Sequence, residues 1–274
     1  MKNPAQLEGK KYNRYMSKKF FGSKYSVEYD KWLESPYLGH LEQMQKFFVS
    51  KILKFKKIDT VLDVGCGTGK YLLYIATKGP KVVGIDYSKE MIRATKNKIS
   101  KFKNAIHLVL ADSANLPFKD NSFTKAISIN TIAYLVDDVK AISEINRVIT
   151  TNAVLDGINK TELRMVYPLI TFVNYIREVL GKAPLGVYRN YYTVGSLREK
   201  VEKAGMKFSA AYGCGITLPA LSKDVFGVTI PSPFHILQIF PHPYRFLAFL
   251  EKNFGNKFPI RHLGTHIMVD ARKN

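Results

Sequence analysis

Cysteine is scarce in this chain: Cys66 and Cys214 are the only two among 274 residues. Two thiols give neither a disulfide framework nor a metal cluster, and point to a reducing compartment. No uninterrupted apolar run is long enough to span a membrane. At the amino end Lys10, Lys11, Lys18 and Lys19 interrupt a polar stretch, so no secretory apolar region is read there. The expectation is a cytoplasmic protein without a transmembrane segment. Acidic residues are also few, 22 against 42 Lys and Arg, for a formal net charge of +20. What is plentiful is apolar residue, 46% of the chain, enough for a sizeable core. The length suits one α/β domain with insertions, or a domain plus a cap.

The basic excess has several readings. Lysines are spread through the segments, as at Lys54, Lys56, Lys57, Lys96, Lys98, Lys101 and Lys103. No arginine-rich cluster accompanies them, which favours a solvated basic surface over a nucleic-acid or anionic-membrane surface. An anionic substrate is a further option.

Residues 61–69 read Val-Leu-Asp-Val-Gly-Cys-Gly-Thr-Gly. The apolar run predicts a buried parallel strand. Gly65, Gly67 and Gly69 then allow a tight turn and close backbone approach to a ligand. A helix starting at Lys70 would face the same ligand with its amino end. Together these predict a nucleotide crevice at the carboxyl end of a strand. The glycines fall as G-x-G-x-G, which is neither the dinucleotide fingerprint nor the phosphate-binding loop. Asp63 would repel a phosphate and suits a cationic or zwitterionic ligand.

This stretch resembles the first motif, E/DxGxGxG, of the class I S-adenosylmethionine (SAM)-dependent methyltransferases, in their small-molecule "methyltransferase type 11" group. Lys81 to Asp86 resembles the family's second strand, ending in the acidic residue that holds the ribose hydroxyls. Asp86-Tyr87-Ser88, with Met91 and Ile92 following, resembles D-x-S-x-x-M-L near the adenine. Ala111-Asp112-Ser113, followed by Leu116-Pro117-Phe118, resembles the third motif, whose Asp binds the adenine amino group. Phe123 to Asn130 resembles the fourth strand. The resemblance covers roughly residues 55–150 and is looser beyond. It implies a Rossmann-like, seven-stranded, mostly parallel sheet with helices on both faces, and a SAM cofactor. The cofactor residues implied are Asp63, Gly65, Cys66, Gly67, Gly69, Asp86, Tyr87, Met91, Ala111, Asp112, Ser113 and Asn130.

Each feature also has an ordinary structural reading. The glycines suit any strand-to-helix turn, and Asp63 or Asp86 suits a helix cap. Taken jointly, acidic residues at three successive strand ends favour the crevice. Cys66 reads as a small packed residue.

The flanks are less regular. Residues 1–54 read as an N-terminal helical arm or lid, basic and aromatic over 1–25. Tyr29-Asp30-Lys31-Trp32 and Pro36 to His40 resemble a lead-in that folds over the cofactor in related enzymes. Leu41 to Leu53 reads as a helix with Leu41, Met44, Phe48 and Ile52 on one face. Residues 55–213 form the expected cofactor-binding core, with 161–192 partly a substrate cap. Residues 214–262 read as an aromatic, Pro-rich cap insertion, and 263–274 as the final strand. Ala153 to Ile158, Met206 to Ala211 and Gly264 to Ala271 are the predicted fifth, sixth and antiparallel seventh strands. Where family members carry Lys-Pro-Gly-Gly, this chain has Thr150-Thr151-Asn152-Ala153, which predicts a glycine-free turn with Asn152 left-handed.

The cap insertion holds His235, His242 and His262, with His266 just beyond. Their spacing forms no compact helical pair, and Gly264 breaks the last one, which argues against a metal. Methyl transfer needs in-line placement and exclusion of water, with a base for amine or hydroxyl acceptors. The candidates are His235, His266, Tyr134 and Tyr191, with core or surface packing as the ordinary alternative for each. Asn130 to Tyr134 lacks the paired prolines of base amino-methylating enzymes, and no cysteine follows the fourth strand for cytosine chemistry. The expected activity is methyl transfer to a small-molecule or lipid/quinone-like acceptor. An RNA methyltransferase acting on ribose or a ring nitrogen, a non-catalytic SAM-binding regulatory subunit, and peripheral membrane contact remain open.

Overall fold

The computed structural model describes residues 36–102, 105–160, 176, 190–216 and 243–274. Expectations for residues 1–35, for most of 161–189, for the prolines and phenylalanines of 217–242, and for His235 lie outside the described residues.

Seven strands form one sheet: β1 (Thr60–Val64), β2 (Lys81–Asp86), β3 (Ile106–Leu110), β4 (Phe123–Ser128), β5 (Ile149–Ile158), β6 (Met206–Cys214) and β7 (His266–Lys273). Their order is β3-β2-β1-β4-β5-β7-β6. The pairs from β3 through to β5 are parallel, and β7 runs antiparallel to both of its neighbours. This is the expected Rossmann-like fold.

The central strands are aliphatic on both faces because helices cover both faces. Val61 belongs to a core layer with Phe48, Leu72, Ile75 and Ile127, under α1 (Pro36–Leu53), α2 (Lys70–Ala76) and α3 (Lys89–Lys98). Leu62 and Val64 point the other way, into a layer with Ile142, Ile145, Leu197 and Val201 from α4 (Asp138–Val148) and α5 (Val194–Lys203). Local signals set the helix starts. Ser88 accepts from the Met91 N–H, Asp137 from the Lys140 N–H, and Thr193 forms a capping box with Ser196.

Two expectations are corrected. No turn separates α4 from β5: the helix ends at Val148 and the strand begins at Ile149. Asn152 lies within β5, opposite Lys125 and Arg272, and its side chain donates to Asp270 Oδ1 at 3.1 Å. The pairing steps from Phe123–Ile149 to Lys125–Asn152, so a bulge absorbs the extra residue that a glycine turn would have taken up. The sixth strand also runs on to Cys214, so the boundary drawn at residue 214 falls inside a core strand.

Beyond β6, α6 (Pro243–Phe254) and the short α7 (Ile260–Leu263) pack beside α1 and the end of β6. A buried Glu251 fastens them. It accepts from the N–H groups of Gly215 and Ile216, at 3.1 and 2.7 Å, and lies 3.1 Å from His40 Nε2 on α1. Removing this carboxylate would leave two buried N–H donors unmatched. Glu251→Ala is therefore predicted to lower the unfolding free energy by about 2–4 kcal/mol. Urea denaturation measures this, and an unchanged midpoint would contradict the anchoring role.

Candidate functional site

The parallel strands end at one edge, and the loops that follow them build a crevice there. The glycine segment crosses from β1 to α2. The N–H groups of Gly65 and Cys66 both donate to the Ile85 carbonyl of β2, at 2.9 and 2.8 Å. All three glycines have left-handed φ, between 52° and 83°. A side chain at Gly65 would strike Thr131, and one at Gly69 would lie 2.6 Å from Thr95. At Gly67 an added Cβ would meet nothing within 4 Å. The turn therefore leans on protein at its two ends and stands open at its middle, a cradle into which a ligand backbone fits.

Asp86 closes the cradle from β2. One carboxylate oxygen accepts from the Gly67 N–H at 2.9 Å and the other from the Ser88 N–H at 2.8 Å. Burial pushes its carboxyl up, against the pull of those bonds. The Tyr87 N–H bonds to it as well, so three backbone donors hold the carboxylate and room is left for a ligand hydroxyl.

Asp63 is the least compensated group. It is 2% exposed, and its Oδ2 has no hydrogen-bond partner. Burial, aided by the Asp86 charge nearby, pushes its carboxyl up to about 8. A buried polar atom without a partner is rare and costly. A cation delivered by a ligand would supply what the protein does not, so the donor set fits the ammonium and sulfonium of SAM and opposes a phosphate. Cys66 is buried, and burial together with Asp63 and Asp86 pushes its thiol well above the usual range, which leaves it a packing residue.

The remaining candidates line up along the edge. Tyr87 is half exposed beside the α3 amino end, whereas Met91 is buried and contributes a backbone N–H to the cap. The Ala111 N–H donates to the Asp86 carbonyl, which ties the end of β3 to β2. Asp112 turns its own loop by accepting from the Ala114 N–H at 2.9 Å, and Ser113 is buried behind it. Asn130, after β4, holds a left-handed φ of 54°, a strained conformation for a residue with a Cβ. It is held there by its N–H, which donates to Asp156 Oδ2 at 3.0 Å.

Tyr134 and Tyr191 are brought to one place. The Asn190 N–H donates to Ala133 O and its side chain to Leu135 O, at 2.6 and 2.8 Å. Next to them, Tyr192 is buried and donates to Asp138 at 2.7 Å. His266 begins β7 opposite Ile158, at the carboxyl end of β5, with Nδ1 3.0 Å from Asp156 Oδ2.

Two residues at the edge were not among the candidates. Asp156 is fully buried and joins Asn130, His266 and Gln45. Gln45 donates to Asp156 at 3.0 Å and to Asn130 Oδ1 at 3.3 Å, and accepts from the Tyr71 hydroxyl at 2.7 Å. With the Glu42–Lys70 pair at 2.8 Å, it fastens α1 to the start of α2, beside the glycine turn. A glutamine four residues after Leu41, on the apolar face, is the signal that was available.

The raised Asp63 and Asp86 carboxyls give a signed prediction. A folded-state value above the unfolded one makes stability full at acid pH and progressively lost as pH rises toward about 8. Without ligand, Asp63→Asn should melt higher than wild type at pH 8, with the gap shrinking steadily as pH falls and closing only near pH 4. Equal melting curves across that range would contradict the assignment.

The profile of the methyltransferase domain family matches residues 62–155. An uncharacterized protein of Methanocaldococcus jannaschii is 27% identical over 228 residues, covering 77% of this chain and 84% of that one. A demethylmenaquinone methyltransferase of Staphylococcus haemolyticus is 30% identical over 142 residues, covering 49% of this chain; the chain spans only 58% of that relative. Among solved structures, magnesium protoporphyrin IX methyltransferase from Synechocystis with bound SAM superposes with a TM-score of 0.57 at 12% identity, covering 96% of this chain and 97% of that one.

Proposed function

Since the chain belongs to the class I SAM-dependent methyltransferases, by its methyltransferase domain, we propose that it transfers a methyl group to a small-molecule acceptor of the lipid or quinone kind. The observation that carries the methyl-transfer reading is the unpartnered Asp63 carboxylate beside the open Gly67 turn. The acceptor class rests on the quinone methyltransferase relative, whose homology is confined to about half of this chain.

SAM, when bound, supplies a methyl group on a sulfonium, which is a good leaving group. The chain's part is binding, placement and dryness. Asp63 offers its free oxygen to the ammonium, Asp86 its remaining lone pairs to the ribose hydroxyls, and Asp112 with Ala111 and Ser113 the adenine side. Gln45 and Glu42 fasten α1 beside the glycine turn and Asn130, which supports a role for this helix in keeping the site dry. On the acceptor side stand Tyr134, Tyr191 and His266. Asp156 fixes Nδ1 as the N–H nitrogen of His266, so Nε2 is the nitrogen to which we assign the proton of a hydroxyl or enol acceptor.

Two outcomes follow. Asp86→Ala weakens SAM binding by about tenfold or more, through loss of the charge-assisted contacts; unchanged affinity in a calorimetric titration counts against the site. His266→Gln lowers the turnover rate by about 10²–10⁴ while SAM affinity holds, the size expected of a lost general base; an unaltered rate removes His266 from the chemistry. The acceptor class is tested with methyl-labelled SAM and an extract of the source organism. Label in the organic-soluble or small-molecule fraction supports the reading, and label in RNA refutes it.

A further inference from the structure

The basic excess has no place in the crevice, whose buried charged side chains, Asp63 and Asp156, are acidic. The outward face of α6 is a different surface. Phe246 and Phe249, one helical turn apart, are 64% and 55% exposed, and Phe258 in the following turn is 79% exposed. Leu263 at the end of α7 is also exposed. Single exposed apolar side chains are ordinary, but a run of them on adjoining elements marks an interaction surface. The opposite face of α6 is committed: Leu247 and Glu251 are buried against the protein, so the phenylalanines have no route inward.

Charge follows the same face. Arg245, Lys252, Lys257 and Arg261 lie in this stretch, and the single acidic residue from 243 to 263, Glu251, is buried and engaged. Arg245 and Lys252 also line a shallow cleft of about 390 Å³ between α1 and α6, with Gln43, Ala248, Phe249 and Asn253. Phenylalanine and leucine without polar tips, rimmed by basic chains, are the composition of a surface lying in a membrane interface.

We propose that the outward face of α6 and the turn after it docks the protein on an anionic lipid bilayer. The phenylalanines enter the headgroup–acyl boundary, while Arg245, Lys252 and Lys257 reach lipid phosphates. Charge complementarity selects this occupant: the patch is purely cationic where an anionic leaflet is negative. The segment is anchored to the sheet where the Gly213 N–H at the end of β6 donates to the Gly255 carbonyl just after α6. The docking claim is independent of the acceptor reading, because it is measured without turnover.

The test is co-sedimentation of the full chain with vesicles of phosphatidylcholine alone and of phosphatidylcholine mixed with phosphatidylglycerol, at low and high salt. Binding only to the mixed vesicles, weakened by salt, is the expected result. Phe246→Ser combined with Phe249→Ser should lose about tenfold or more in vesicle affinity, with thermal melting unchanged because both side chains lie outside the core. Arg245→Gln and Lys252→Gln should each lose about fivefold, and they serve as a second set should the phenylalanine variant melt lower. No binding to mixed vesicles, equal binding to neutral ones, or binding indifferent to both sets of substitutions overturns the proposal. Phenylalanine-dependent binding of a labelled single-stranded RNA in place of vesicles overturns it too, and would make the face a nucleic-acid surface.

Discussion

A carboxylate buried without a partner is the constraint on which the crevice depends. Asp63 stands near the end of β1, before a glycine turn whose middle is open. The protein places the Asp86 carboxylate close by rather than a lysine, in a chain rich in lysine. The strain is electrostatic and is stored where a cationic ligand would relieve it, at some cost to the free fold. The backbone around it is arranged to keep that carboxyl in place. Two N–H groups of the turn hang on the β2 carbonyl of Ile85, and a third is held by Asp86.

A second buried carboxylate, Asp156, does the opposite work. It is saturated, and its partners come from α1, from the loop after β4 and from β7. It thereby sets the strained backbone of Asn130, the ring of His266 and the position of α1 in one network. Through this one residue the helix α1, the loop after β4 and the start of β7 are tied together. Glu251 repeats the device further out, tying α1 to α6 and to the end of β6.

The sheet was legible in the sequence because its strands are short, aliphatic and stopped by glycine or acid at fixed places. Val61 to Gly69, Asp86 and Asp112 carry local signals that need no knowledge of the tertiary fold. The junction at Thr150 to Ala153 misled, because its solution is a bulge in the β4–β5 pairing, which depends on the partner strand. Asp156 was illegible for a similar reason: in sequence it is one polar residue in an apolar strand, and only the assembled edge gives it three partners. Gln45 was readable in principle as a polar residue on a core-facing helix stripe. His266 was placed in the seventh strand by its neighbours, but nothing local tied it to Asp156, which is 110 positions away.

The central claim is that the crevice holds an unsatisfied, proton-retaining carboxylate for a cationic ligand. Calorimetric titration of SAM at pH 7, repeated in buffers of different ionisation enthalpy, counts the protons exchanged on binding. Asp63, raised to about 8 in the free protein, should give up close to one proton as the ammonium takes its place. Wild type should therefore release nearly one proton more than Asp63→Asn. An identical proton count for the two proteins would contradict the account.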